Sequence, residues 1–177
     1  RALPKFERMI QTAALITELL EQENIQPIIV GGLSLEIYTL NQYTTHDLDL
    51  IASGRERCAS ILTQLGFEKL GKDWVHRELG VSLEMPDDVL AGDYNKVTKV
   101  PVNGRHIYVI GVEDLILDRL RAAVHWKSLV DREWGYRLLL MYDDLDLDYI
   151  ANQLTTQREK EEWQQWLQAK EEDLHQQ

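Results

Sequence analysis

Two aspartates separated by one leucine, Asp47 and Asp49, are the residues of this sequence best suited to chemistry. The segment around them alternates polar and apolar residues, as a half-buried β-strand does. Residues i and i+2 of a strand share a face about 7 Å apart, so the two carboxylates project together while Leu48 and Leu50 enter the core. Carboxylates this close repel each other unless a cation lies between them. Because hard cations prefer oxygen ligands, the spacing predicts a Mg²⁺ site.

The elements before the two acids explain how they would be held. Ile28, Ile29 and Val30 form a β-branched run typical of a buried strand, and Gly31-Gly32 ends it. Apolar residues at helical spacing then predict a short helix that leads to the strand of Asp47 and Asp49. Upstream, apolar residues recur between Leu3 and Asn24 in the pattern of an amphipathic helix that packs on the sheet.

Strand, Gly-Gly, short helix and Asp-Leu-Asp together resemble the signature of the nucleotidyltransferase superfamily, which has the DNA polymerase beta-like fold. The likeness is to small bacterial single-domain members and to AbiEii-type abortive-infection toxins. The resemblance implies that Asp47 and Asp49 bind two Mg²⁺ ions and that Gly31 and Gly32 bring backbone close to the triphosphate of an NTP. For Ser34 we expect a hydroxyl that either caps the backbone or contacts phosphate.

The superfamily places a third carboxylate on a neighbouring strand, and Glu84 is the best-placed candidate here. It lies in a predicted β-hairpin that returns through Gly80, between Leu83 and Met85. The resemblance gives it the role of general base or third metal ligand, although an acid on a solvated sheet face would show the same pattern. Its rivals lie in the loop that follows, at Asp87, Asp88 and Asp93.

A helix predicted over Glu113 to Trp126 has acids in its first turn, where the helix dipole favours them. This stretch resembles the family segment in which a basic residue approaches the nucleotide and an acid follows. Arg119 would take the basic position and Asp131 the acidic one. Arginine stands where lysine is commoner, which keeps the charge and changes the geometry of a phosphate contact.

Positive charge gathers at Lys96, Lys99, Arg105 and His106, around a hairpin predicted at Asn103-Gly104. These side chains either contact phosphate or keep a sheet edge soluble, and the second interpretation is favoured. A second Asp-x-Asp run, over residues 143–148, precedes helical spacing and is interpreted as a helix cap. Thr156 and Glu159 form a capping box that opens a last helix, whose tryptophan stripe is expected to dock on the rest of the protein.

Composition narrows the function classes. The 177 residues carry a net charge of −11, which disfavours extended binding to nucleic-acid phosphates. A single cysteine excludes an intrachain disulfide and a cysteine-rich metal site. No apolar run reaches the length of a membrane span and no signal-peptide core is visible, so a cytoplasmic protein is expected.

These observations predict an α/β (α+β) fold: a mixed sheet flanked by helices, with further helices at the C-terminus. The expected division is a nucleotidyltransferase-like domain over 1–142 and a helical appendage over 143–177. The predicted activity is Mg²⁺-dependent transfer of a nucleoside monophosphate from an NTP to a hydroxyl of RNA, protein or a small molecule. The alternative is an inactive binding or regulatory module of the toxin–antitoxin type, with a protein partner or a second copy of the chain. A third and weaker option, an Asp-x-Asp glycosyltransferase, would need a larger sugar-binding domain.

Overall fold

The computed structural model describes residues 3–177. In that range seven strands form one mixed sheet with the order β3-β4-β5-β2-β1-β7-β6. The strands are β1 (Ile28–Val30), β2 (Asp47–Ile51), β3 (Glu68–Leu70), β4 (Asp73–His76), β5 (Val81–Glu84), β6 (Thr98–Val102) and β7 (Arg105–Val109). β2 pairs parallel with β5, and β1 pairs parallel with β7; the other neighbours are antiparallel. The predicted mixed α/β fold is therefore confirmed.

Seven α-helices accompany the sheet in the described range. They are α1 (Lys5–Glu21), α2 (Gly31–Tyr38), α3 (Arg55–Gln64), α4 (Val112–His125), α5 (Leu129–Met141), α6 (Leu147–Gln153) and α7 (Gln157–His175). No helix of residues 3–177 is both long and apolar enough to cross a membrane.

The chain divides into two compact units, the first ending at Gly111 and the second spanning Val112–Gln177. The domain division predicted from the sequence, 1–142 and 143–177, is not tested by these compact units and stays a prediction. The compact units divide earlier because α4 and α5 pack with each other, and α4 also packs with α6 and α7.

The core of the first unit lies on the apolar face of the sheet. The cross-strand row Trp74–Leu83–Leu48 joins β4, β5 and β2 on this face, and all three side chains are buried. α1 packs on the sheet and against α3. Since side chains alternate along a strand, the next row along these strands faces the other way and is free to carry polar groups.

The second unit is a helical cluster held by its own core. Leu120 of α4, Leu138 of α5, Ile150 of α6 and Trp163 of α7 are all buried there. The ring of Trp166 packs directly against Gly135, because a Cβ at that glycine would lie 2.5 Å from the ring. The tryptophan stripe of α7 therefore docks within its own unit, as predicted.

Candidate active site

Asp47 and Asp49 lie on one face of β2. Leu48 and Leu50 between and after them are buried, whereas Asp47 is exposed and Asp49 is partly exposed. The alternation predicted from the sequence is therefore present in the strand. Their roles as metal ligands remain a prediction.

The sheet register brings Glu84 beside this pair. Glu84 of β5 stands directly opposite Asp49 of β2, in parallel strands, and neighbouring strands lie about 4.8 Å apart. We call the surface formed by Asp47, Asp49 and Glu84 the acid face. The parallel pairing of β2 with β5 thus joins acids that are 35 or more positions apart in the sequence.

One further acid, which was not predicted from the sequence, belongs to the same cross-strand row. Asp73 of β4 stands opposite Glu84, so three adjacent strands carry Asp73, Glu84 and Asp49 in line. Asp73 follows Gly71-Lys72, a pattern typical of a turn, so it was not assigned to a strand. Counting the hairpin register back from Gly80 is the signal that would have found it.

A lysine already contacts the acid face. Lys72 Nζ lies 3.6 Å from Glu84 Oε1, at the turn between β3 and β4. The lysine side chain is 76% exposed and that of Glu84 30%, so the pair is solvated and easily exchanged. A cation bound at the acid face would compete with Lys72 for Glu84.

Gly31 is required at the start of α2 for two reasons. Its φ of 62° lies in the left-handed region, and a Cβ there would sit 2.4 Å from Asp49 Oδ2. Gly32 is tight as well, since its Cβ would lie 2.6 Å from Thr45 Oγ1. The bare backbone of Gly31 therefore lies directly beside Asp49, and that of Gly32 lies beside Thr45.

Ser34 does not face solvent in this conformation. Its side chain is fully buried, and its hydroxyl donates to the carbonyl of Gly31 at 2.6 Å. It therefore acts on the backbone of the glycine turn, the first of the two roles expected for it. Contact with a phosphate stays a prediction.

Arg119 lies on α4 in the second unit, where two acids engage it. Its guanidinium pairs with Asp118 and donates to Asp131 Oδ1 at 2.7 Å. The basic and acidic positions suggested by the resemblance are thus in direct contact. The nucleotide-binding role of Arg119 stays a prediction.

The other charged candidates are used locally. Asp93 caps a short 3-10 turn by accepting from Asn95 N, and Asp87 accepts from Asp88 N at 2.8 Å. Arg105 Nε donates to Glu18 Oε2 at 2.6 Å, and His106 pairs with Glu21. These last contacts tie β7 to α1, and both interpretations of the positive charge stay predictions. Asp146 accepts from Tyr149 N and so caps α6, as predicted for the second Asp-x-Asp run.

The donors of the acid face suit a divalent cation in chemistry, since carboxylate oxygens are the ligands that Mg²⁺ prefers. Gly31 also keeps the surface beside Asp49 bare. Within residues 3–177, however, no three His, Cys, Asp or Glu side chains are gathered closely enough to hold a metal ion. Three pockets of about 330, 340 and 410 Å³ in the first unit are lined by other residues. The strand register places the carboxylates of Asp47, Asp49 and Glu84 on one face. These side chains would have to rotate towards each other to bind one cation.

A family profile described as Nucleotidyltransferase of unknown function (DUF6036) matches residues 5–172. No curated protein matches the sequence. Among solved structures, an antigenic nucleotidyltransferase-like protein from Paracoccidioides brasiliensis is 17% identical with a TM-score of 0.67, covering 93% of this chain and 88% of that one.

The antibiotic-resistance factor ANT(2'')-Ia is similar over 92% of this chain and 94% of its own, at 16% identity and a TM-score of 0.53. Its complex with adenylyl-2''-tobramycin gives 15% identity and the same TM-score, over 90% of this chain and 98% of the other. At these identities the structures show a shared fold.

Proposed function

The chain belongs to this nucleotidyltransferase family, and we propose that it transfers a nucleoside monophosphate from an NTP to an acceptor hydroxyl. The observation that carries the proposal is the register of β2 and β5, which sets Glu84 opposite Asp49 on the face of Asp47. Gly31 also supports it, because the absence of a side chain there lets the backbone lie against the Asp49 carboxylate. The family profile confirms the nucleotidyltransferase superfamily expected from the sequence. The likeness to small bacterial single-domain members and to toxins stays a prediction.

In this proposal Asp47 and Asp49 hold two divalent cations, with Mg²⁺ as the expected metal. Bound divalent ions neutralise the triphosphate and favour deprotonation of the attacking hydroxyl. The acceptor oxygen attacks the α-phosphorus, the bond from that phosphorus to the bridging oxygen breaks, and pyrophosphate leaves with the electron pair. Glu84 accepts the proton of the hydroxyl or completes the ligand set. Gly31 and Gly32 let backbone donors approach the phosphates.

The acceptor is proposed by charge. A net charge of −11 opposes long contacts with RNA, so a small molecule or a protein hydroxyl is the better candidate. One neighbouring structure contains adenylyl-2''-tobramycin, a small-molecule product. We place the reaction in the cytoplasm. A chain with a single cysteine and no apolar run as long as a membrane span is in keeping with that location.

The test is label transfer. The protein is incubated with each labelled NTP and Mg²⁺, in separate arms with total RNA, total protein and a mixture of small polar hydroxyl compounds. Wild type should label one arm, and Asp49→Asn should abolish labelling. Asp148→Asn is the matched control, because Asp148 belongs to the second Asp-x-Asp run and is exposed on α6.

If wild type and Asp49→Asn label every arm equally, the enzymatic proposal is wrong. The second candidate would then stand: a module that keeps the fold and binds a partner without catalysis. The burial of Ser34 favours that candidate, since it leaves one hydroxyl fewer for a nucleotide.

A further inference from the structure

A buried carboxylate lies close behind the acid face. Glu36 of α2 is only 4% exposed, and each of its oxygens accepts a different hydrogen bond. Oε1 accepts from Thr45 N at 2.9 Å, and Oε2 accepts from Asn41 Nδ2 at 3.1 Å. A buried carboxylate is costly unless donors of this kind satisfy it, so its position is specified.

Both donors belong to the segment that joins α2 to β2, residues 39–46, which we call the connecting loop. Leu40 and Asn41 have φ values of 52° and 67°, in the left-handed region that disfavours side chains. Leu40 is also 77% exposed, so burial does not hold it there. Glu36 holds the strained turn through its carboxylate and through its carbonyl, which accepts from Asn41 N at 2.9 Å.

One of these contacts lies just before β2. Thr45, held by Glu36, is two residues before Asp47 and lies against Gly32, where a Cβ would come within 2.6 Å of its hydroxyl. At the other point of contact Gly31 lies beside Asp49. The glycine pair thus meets Asp49 of β2 at Gly31 and Thr45 of the connecting loop at Gly32, and Glu36 holds Thr45.

We propose that Glu36 is a positioning residue, which sets the distance between the glycine pair and the carboxylates of Asp47 and Asp49 through Thr45. The inference rests on the proposed function, since that distance matters only if the carboxylates and the glycine pair act on one ligand. A purely structural role would affect folding stability and leave cation binding unchanged.

An exchange of donor and acceptor tests the contact. Asn41→Asp puts a second carboxylate against Glu36 and should push the connecting loop away. Adding Glu36→Gln restores one donor for one acceptor: the amide at position 36 accepts from Thr45 N and donates to the carboxylate at position 41. Asn24→Asp is the matched control, because Asn24 is also exposed and left-handed, with a φ of 60°, and lies at the end of α1.

The measurement is Mn²⁺ affinity by electron paramagnetic resonance, with and without ATP, at a temperature where circular dichroism shows each variant folded. Asn41→Asp should weaken Mn²⁺ binding about tenfold, the lower end of the range for groups behind metal ligands. The double variant and Asn24→Asp should bind as wild type does. A folded Asn41→Asp protein with unchanged Mn²⁺ affinity would overturn the inference, as would a double variant as weak as the single one.

The two proposals can fail separately. Wild type that binds Mn²⁺ but transfers no label removes the enzymatic proposal and leaves the role of Glu36 measurable. Wild type that binds no Mn²⁺ at all overturns both.

Discussion

At the scale of single residues, the candidate site depends on one position without a side chain. Gly31 combines a left-handed φ with a backbone that passes directly beside the Asp49 carboxylate. Any other residue at position 31 would have a strained left-handed backbone, and its Cβ would collide with the Asp49 carboxylate. The two costs can be separated, because Gly71, in the turn between β3 and β4, has a left-handed φ and no close neighbour.

Gly31→Ala is therefore expected to destabilise the protein by more than Gly71→Ala. Gly71 has a φ of 61° and nothing within 4 Å of the place its Cβ would take. The left-handed backbone alone costs about 1–2 kcal/mol, and displacement of Asp49 should come on top at Gly31. Urea denaturation measures both free energies of unfolding. Equal losses in the two variants would mean that Asp49 moves aside without cost.

Lys72→Ala should tighten divalent cation binding at low salt, since it removes the cation that competes for Glu84. The folding free energy should change by less than about 1 kcal/mol, as for other exposed ion pairs. Calorimetric titration with Mn²⁺ gives the affinity. Arg77→Ala removes a similar exposed pair, 3.5 Å from Glu68, and should leave Mn²⁺ affinity unchanged. A rise in Mn²⁺ affinity in both variants would mean that the overall charge of the protein, and not the contact of Lys72 with Glu84, controls the affinity.

At the scale of elements, the second unit is anchored by the start of α7. Thr156 accepts from Glu159 N and caps the helix. The carboxylate of Glu159 in turn accepts from the Thr155 amide and from side chains of α4, Arg121 and His125. The capping box predicted from the sequence is thus the centre of a wider buried network.

This network predicts a loss of stability in acid. Burial raises the pKa of Glu159, but hydrogen bonds from His125, Thr155, Thr156 and Arg121 outweigh it and lower the pKa from 4.5 to about 2. Because the folded pKa is depressed, the stabilisation is complete above pH 4.5 and is lost as the pH falls towards 2. It amounts to at most about 3.5 kcal/mol, at roughly 1.4 kcal/mol for each pKa unit.

Glu159→Gln should lower stability at neutral pH and flatten its pH dependence between about pH 5 and 2. Denaturant unfolding at a series of pH values measures this slope. Glu161→Gln, on the exposed side of the same helix, should keep the wild-type slope. If Glu159→Gln and wild type lose stability in parallel, other carboxylates govern the acid transition.

At the scale of the whole molecule, the proposed function makes stability depend on ligand. A ligand that binds only the folded protein stabilises it by mass action, by about 2.7 kcal/mol at a concentration one hundred times its Kd. Mg²⁺ with ATP should therefore raise the melting temperature of wild type. Asp49→Asn should lose this shift, and Asp148→Asn should keep it. No shift for any nucleoside triphosphate would contradict nucleotide binding.

Much of the molecule could be predicted from local sequence. The period-two pattern around Asp47 and Asp49, the Asn103-Gly104 turn and the capping residues Asp146 and Thr156 each act through neighbours within a few positions. Local backbone chemistry is the same wherever such a segment lies, so these elements were predictable. The mixed sheet followed from their order and from the family resemblance.

What required the tertiary structure is the pairing of residues far apart in the chain. The antiparallel hairpin that sets Asp73 opposite Glu84 is local by comparison. The parallel register that sets Glu84 opposite Asp49 depends on which strands meet, and no local pattern encodes that. The same holds for Glu36, whose polar side chain on a short helix gave no sign of burial against the connecting loop. The sequence by itself determined the candidate acids and the elements that carry them. Only the packed sheet decided which of these acids share a face, because cross-strand distance is independent of distance along the chain.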